Sequence, residues 1–61
     1  MNLSGCWLKV IEKTNLLPVG EIVYCFVQEE SQFRVQTRRL IHGVDQVIFS
    51  NSSWDKFRVV P

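Results

Sequence analysis

The chain has 61 residues, of which 46% are hydrophobic and 11% aromatic, and it carries 7 Lys and Arg against 6 Asp and Glu. This apolar content excludes a disordered tail, and the scattered charges exclude an apolar stretch long enough to span a membrane. The net charge of +1 excludes a strong overall field for nucleic acid or an acidic membrane. We therefore expect one small globular domain, residues 1–61, without membrane contact.

The first strand signal covers residues 6–13, which alternate in part. Its expected anchors are Trp7, Val10 and Ile11. Residues 14–20 read as a turn-rich connection, in which Asn15 is expected to close an Asx turn and Gly20 to adopt a positive φ.

A second, strongly apolar strand is predicted over residues 21–28. Its β-branched and aromatic segment 22–27 shows no polar face, so we expect both of its sides to be covered by a strongly bent sheet. The phenylalanines of the predicted strands are expected in the core; they are Phe26, Phe33, Phe49 and Phe57.

The third predicted strand, residues 33–39, follows a polar loop at residues 29–32 and alternates well. The side chains expected to face inward are Phe33, Val35 and Thr37, and those expected to face outward are Arg34, Gln36 and Arg38. Residues 41–45 read as a hairpin in which Gly43 needs a positive φ.

The chain is predicted to end with two more strands, residues 46–50 and 57–60, separated by a short 3₁₀ turn that carries Trp54. Three residues are candidates to cap this turn, namely Asn51, Ser52 and Ser53. Five strands with one helical turn before the last predict an all-β fold.

The layout resembles the SH3-like small-barrel class, which includes SH3, Tudor and KOW-type domains. The resemblance rests on a connection ending in Pro18-x-Gly20, two tight hairpins, a polar 3₁₀ turn and a terminal Phe57-x-Val59-Val60. It implies a five-stranded, strongly bent barrel. The chain lacks the acidic loop and Pro-Ser-x-Tyr signature of peptide-binding SH3 domains, and the aromatic cage of methyl-lysine readers. A compact chain beginning with Met is also similar to the small early proteins of tailed bacteriophages.

Residues able to carry catalysis or bind metal are few. Cys6 and Cys25 are too few for a disulfide framework and are expected to be free core thiols. His42 is expected in a solvated hairpin loop, although a Cys–His pair or a redox role is the third functional hypothesis. We predict no enzyme, cofactor or metal site. The start of the chain lacks a signal-peptide pattern, so a cytoplasmic location is expected.

The basic residues predict a contact surface on one strand face. Residues 1–32 have a net charge of −2 and residues 33–61 one of +3. The candidate basic contacts are Arg34, Arg38, Arg39, Lys56 and Arg58. Arginine forks on a strand surface suit phosphate, but charges on an exposed face also keep a sheet soluble. Both interpretations stay open at this point.

Three aromatic residues could be either core or surface: Trp7, Tyr24 and Trp54. Tryptophan and tyrosine are common anchors of protein interfaces, and Trp54 lies between polar residues. We therefore add Tyr24 and Trp54 to the candidate contact residues.

These observations favour a non-enzymatic binding module that docks on another macromolecule. The near-neutral charge favours a protein partner, which would be a host protein if the chain is of phage origin. The alternative is a small nucleic-acid-binding barrel that uses the arginine-bearing face. The chain is expected to be a monomer or a weak homodimer formed by strand addition.

Overall fold

The computed structural model describes residues 3–61, which form five strands and one short helix. The elements are β1 (Cys6–Val10), β2 (Ile22–Gln28), β3 (Gln32–Ile41), β4 (Val44–Ser50), the 3₁₀ helix Asn51–Lys56 and β5 (Phe57–Val60). The five predicted strands are confirmed, with β1 shorter and β3 and β4 longer than expected. Within residues 3–61, no helix has the length and apolar character needed to cross a membrane.

The strands form one antiparallel sheet in the order β4-β3-β2-β1-β5. The last strand therefore lies beside the first, where Trp7 is paired with Val60. β4 and β5 are the two edges of this sheet, and no ladder joins them within the described residues. The all-β prediction is confirmed as a five-stranded open sheet.

The predicted anchors of β1 are wrong for two of three residues. Leu8 and Val10 are buried, whereas Trp7 and Ile11 are 49% and 39% exposed. Successive strand residues face opposite sides, so the buried phase includes Leu8 and Val10 and excludes Trp7 and Lys9.

The connection from β1 to β2 is organised by Thr14 rather than by Asn15. The Thr14 hydroxyl accepts hydrogen bonds from Leu17 N at 2.8 Å and Leu16 N at 3.2 Å, and donates to Leu17 O at 3.1 Å. This turn places Leu17 in the core, with 1% exposed. Gly20 has a φ of 96°, as predicted for this position.

The apolar strand β2 is covered fully on one side and only in part on the other. Val23 and Cys25 are completely buried, while Ile22, Tyr24 and Phe26 are partly exposed. The pairing with β3 shifts between Cys25 and Val27, so Phe26 sits in a β-bulge. The prediction that both faces are covered is therefore wrong in part, and Phe26 lies outside the core.

β3 alternates as predicted, with its three inward residues buried; they are Phe33, Val35 and Thr37. A two-residue turn, His42-Gly43, joins β3 to β4, and both residues have positive φ, 52° and 83°. Such turns match the twist of the strands they join, which explains the glycine.

An aromatic cluster holds the C-terminal part of the chain against β3 and β4. Phe33 has no exposed surface, and its ring lies 4.5 Å from Trp54, 5.5 Å from Phe57 and 5.7 Å from Phe49. Phe57 and Phe49 are also in edge-to-face contact at 5.2 Å. Residues from the two edge strands thus share one core with the start of β3.

The 3₁₀ helix is capped by Ser50, so the three predicted caps are wrong. The Ser50 hydroxyl accepts a hydrogen bond from Ser52 N at 3.3 Å. Asn51 instead holds the β2–β3 hairpin, because its side chain donates to Glu30 O at 2.8 Å and its backbone N–H donates to Ser31 O at 3.0 Å.

Replacing Leu8 by Ala should destabilise the protein far more than replacing Leu40 by Ala. Leu8 is 1% exposed and Leu40 is 68% exposed, so the same truncation leaves a cavity only at Leu8. We expect a loss of about 2–5 kcal/mol for Leu8→Ala and less than about 0.5 kcal/mol for Leu40→Ala, measured by urea unfolding. Equal losses would contradict the assignment of the core.

Candidate binding face

The outer face of the sheet consists of the strand side chains that alternate with the buried ones. Its central members are Trp7, Lys9, Ile22, Tyr24, Arg34, Gln36, Arg38, Gln46, Ile48 and Arg58. The opposite side of the sheet carries the core, so this face is turned towards solvent.

One row of the outer face runs across all five strands and contains two aromatic side chains in contact. The register aligns Val60, Trp7, Tyr24, Gln36 and Gln46. The Trp7 and Tyr24 rings lie 5.0 Å apart with an interplanar angle of 59°, a favourable tilted geometry. Half of Trp7 nevertheless remains exposed, at 49%.

A cleft of about 440 Å³ opens along this row. It is lined by Trp7, Tyr24, Gln36, Thr37 and Arg38. The cleft combines ring surfaces for packing with amide and guanidinium groups for hydrogen bonding. This combination suits binding of an extended or planar group.

Basic side chains flank the aromatic row, and none of the outward-facing positions of the five described strands holds an Asp or Glu. Lys9 and Arg58 are directly opposite each other on β1 and β5, and both are exposed. Arg38 follows Gln36 on the same face of β3. No ion pair is formed by these three cations within residues 3–61. Like charges in opposite positions repel, so this side of the sheet favours an anion.

Arg34 and Arg39 differ from these cations because each has an acidic neighbour. Arg34 Nε lies 3.7 Å from Glu29 Oε1, and Arg39 Nε donates to Glu21 Oε2 at 3.1 Å. Arg34 lies on the outer face beside Ile48, whereas the Arg39 pair ties the end of β3 to the start of β2. Arg34 is therefore less available to a partner than Arg38, which has no acidic neighbour among residues 3–61.

Two predicted contact residues lie away from the outer face. Trp54 packs on the core side, against Phe33, and lines a small groove of about 170 Å³ beside Leu3 and Val59. Lys56 ends the 3₁₀ helix, and its carbonyl accepts hydrogen bonds from Ile11 N at 2.8 Å and Glu12 N at 3.3 Å. The other predicted contact residues lie on the outer face, namely Tyr24 on β2, Arg34 and Arg38 on β3, and Arg58 on β5.

Trp7 and Lys9 lie on this candidate face, although the sequence prediction did not place them there. The signal was Lys9 itself, because a charged residue inside a short strand indicates its solvent side. Trp7, two positions earlier, must share that side.

The thiols and the histidine are separated in the fold. Cys6 and Cys25 are paired on β1 and β2, whereas His42 is exposed in the β3–β4 turn, as predicted. Burial, and secondly the neighbouring Cys6 thiol, raise the pKa of Cys25. Among residues 3–61, no group of three or more His, Cys, Asp or Glu side chains could hold a metal ion.

The outer face continues at the free edge formed by β4 as an apolar surface. Val44 and Ile48 are 54% and 51% exposed, and Leu16 and Leu40 lie at grooves beside them. An unpaired strand edge of this kind is where the predicted weak homodimer would form by strand addition.

A scan against protein-family models, a search of curated proteins and a search of solved structures each found no match to this chain.

The raised pKa of Cys25 should make the folded state less stable in alkali. Folding favours the protonated thiol of Cys25. Its contribution to the free energy of unfolding is therefore complete at neutral pH. It is lost as the pH rises above about 9.0, the ordinary value, where the unfolded chain ionises first. Under reducing conditions, the unfolding free energy should fall more steeply between pH 8 and about pH 10 in the wild type than in Cys25→Ala. Identical slopes would contradict the burial of this thiol.

Proposed function

We propose that this protein is a non-enzymatic binding module that docks on a protein partner through the outer face. The observation that carries the proposal is the contacting Trp7–Tyr24 pair, half exposed at Trp7 and flanked by Lys9, Arg38 and Arg58. Tryptophan, tyrosine and arginine dominate the energetics of protein interfaces, because they combine large apolar contact with directed hydrogen bonds.

The partner segment that fits this face is acidic and carries an apolar or aromatic anchor. The anchor would pack on Trp7 in the 440 Å³ cleft, next to the Tyr24 ring. Carboxylates beside it would accept hydrogen bonds from Arg38 and from the opposed pair Lys9 and Arg58. Binding would then relieve the repulsion between the two opposed cations, which favours the bound state.

We further propose that the open sheet curls into an SH3-like barrel. The strand order supports this proposal, because β5 lies beside β1 while the Phe57 ring reaches Phe49 of the other edge strand at 5.2 Å. The chain is similar in size and compactness to small early phage proteins. If it is of phage origin, the docked protein would be a host protein whose activity is blocked or redirected.

Capture from nuclease-treated cell lysate tests the protein-binding proposal. The immobilised wild type should retain a protein that is lost with Trp7→Ala and with Arg38→Ala. Leu40→Ala is the matched control, because Leu40 is exposed but lies outside the cleft. Loss of a central anchor typically costs about 2 kcal/mol or more, roughly a thirtyfold weakening. Retention by all three variants would contradict the proposed face.

Nucleic-acid binding is the second candidate, and the opposed cations Lys9 and Arg58 are the observation that favours it. Three cations without acidic partners lie around two aromatic rings, an arrangement on which a single strand can stack its bases and place its phosphates. The candidate residues are Trp7, Lys9, Tyr24, Arg38 and Arg58.

Salt dependence tests the nucleic-acid candidate. Three phosphate contacts predict a slope of about −2 for the logarithm of the affinity against that of the salt concentration. Fluorescence anisotropy with a labelled single-stranded oligonucleotide measures this slope. Lys9→Ala should make this slope less steep by about 0.7. Lys13 is an exposed lysine in the β1–β2 connection, and Lys13→Ala should leave the slope unchanged. A flat salt response, or equal effects of both lysines, would exclude this candidate.

A further inference from the structure

The two cysteines occupy opposite positions on neighbouring antiparallel strands. Cys6 on β1 is the register partner of Cys25 on β2. Both belong to the inward phase of their strands, since Cys25 lies in the core and Cys6 packs against it. Directly opposed residues on one face have Cβ atoms about 4.5–5.5 Å apart, close to the separation that a disulfide needs.

The backbone around this cysteine pair is held from both sides. Gly5 N donates to Cys25 O at 2.7 Å, and Cys6 N donates to Leu3 O at 3.1 Å. Farther along β2, Gln28 Oε1 accepts from Leu3 N at 2.6 Å, and Gln28 N donates to Ser4 Oγ at 3.0 Å. These bonds fix the turn at residues 3–6 on the end of β2, so the backbones of the two cysteines are held in register.

The thiols differ in their access to solvent. Cys25 has no exposed surface, whereas Cys6 is partly exposed. An oxidant therefore reaches Cys6 first and Cys25 only through Cys6. That Cys6 contributes to raising the pKa of Cys25 is consistent with their proximity.

We propose that Cys6 and Cys25 form a reversible intramolecular disulfide by exchange with a small-molecule disulfide such as oxidised glutathione. Cys6, as its thiolate, attacks one sulfur of the oxidant, forming a mixed disulfide and releasing one thiol. Cys25 then loses its proton and attacks the Cys6 sulfur, which releases the second thiol. The two cysteines are oxidised by two electrons, and the oxidant is reduced to two thiols that take up the two protons.

This bond closes a loop that contains the whole β1–β2 connection. Closing a loop of this length restricts the unfolded chain, so the oxidised form should melt at a temperature at least about 5 °C higher than the reduced form. The site is independent of the outer face, because the thiols lie on the core side of the sheet.

The test exposes the native protein to oxidised glutathione, blocks residual thiols and measures the intact mass. We expect a mass lower by two hydrogens, and a Cys6–Cys25 peptide after digestion without reduction. Persistent glutathione on the wild type, an unreacted protein or a cross-link between two chains would each overturn the proposal.

Two serine variants resolve the order of the steps. Cys25→Ser should stop at a stable glutathione adduct on Cys6, because the second thiol is missing. Cys6→Ser should not react in the native state, because Cys25 is buried. Circular dichroism checks that each variant is folded. If a variant is unfolded, the peptide map of the oxidised wild type alone decides whether the Cys6–Cys25 disulfide forms. Rapid native reaction of Cys6→Ser would contradict the proposed order.

Discussion

The structure depends on the packing of aromatic rings around Phe33. This ring has no exposed surface and is contacted by Trp54 from the 3₁₀ helix and by Phe57 from the last strand. In a chain of 61 residues few side chains can be fully enclosed, so the enclosure of one large ring by three others is a major part of the core. The contacts bring Phe57 of the last strand against the start of β3 and the end of β4. These rings belong to the core on one side of the sheet.

The outer face follows from that arrangement. With the core on one side, Trp7 and Tyr24 are left on the other, although burial of a tryptophan would have helped so small a domain. Lys9 and Arg58 are opposed there without an acid between them, which is unfavourable for the isolated sheet. Natural proteins depart from local rules of this kind chiefly at functional sites. The aromatic pair and the unpaired cations therefore point to the same surface by separate arguments.

The sequence predicted the elements better than their alternation and long-range pairing. β-branched and aromatic runs indicated the strands, and Gly20 and Gly43 marked turns, because these signals are local. The phase of β1 was predicted wrongly because apolar residues lie on both of its sides, Leu8 and Val10 on one and Trp7 and Ile11 on the other, and only Lys9 indicates the solvent side. A long connection separates β1 from β2, so no local sequence signal predicts the register between them. The opposition of Cys6 and Cys25, and of Lys9 and Arg58, became visible only in three dimensions.

The pairing of Trp7 with Val60 also determines where the two ends of the described chain lie. Because β1 enters the sheet beside the point where β5 leaves it, entry and exit are adjacent at the same end of two neighbouring strands. A short linker could join them, and new ends could be opened at the exposed His42-Gly43 turn without removing a core residue. The same adjacency would let the domain be inserted as a unit into a surface loop of another protein, with little disturbance to either fold.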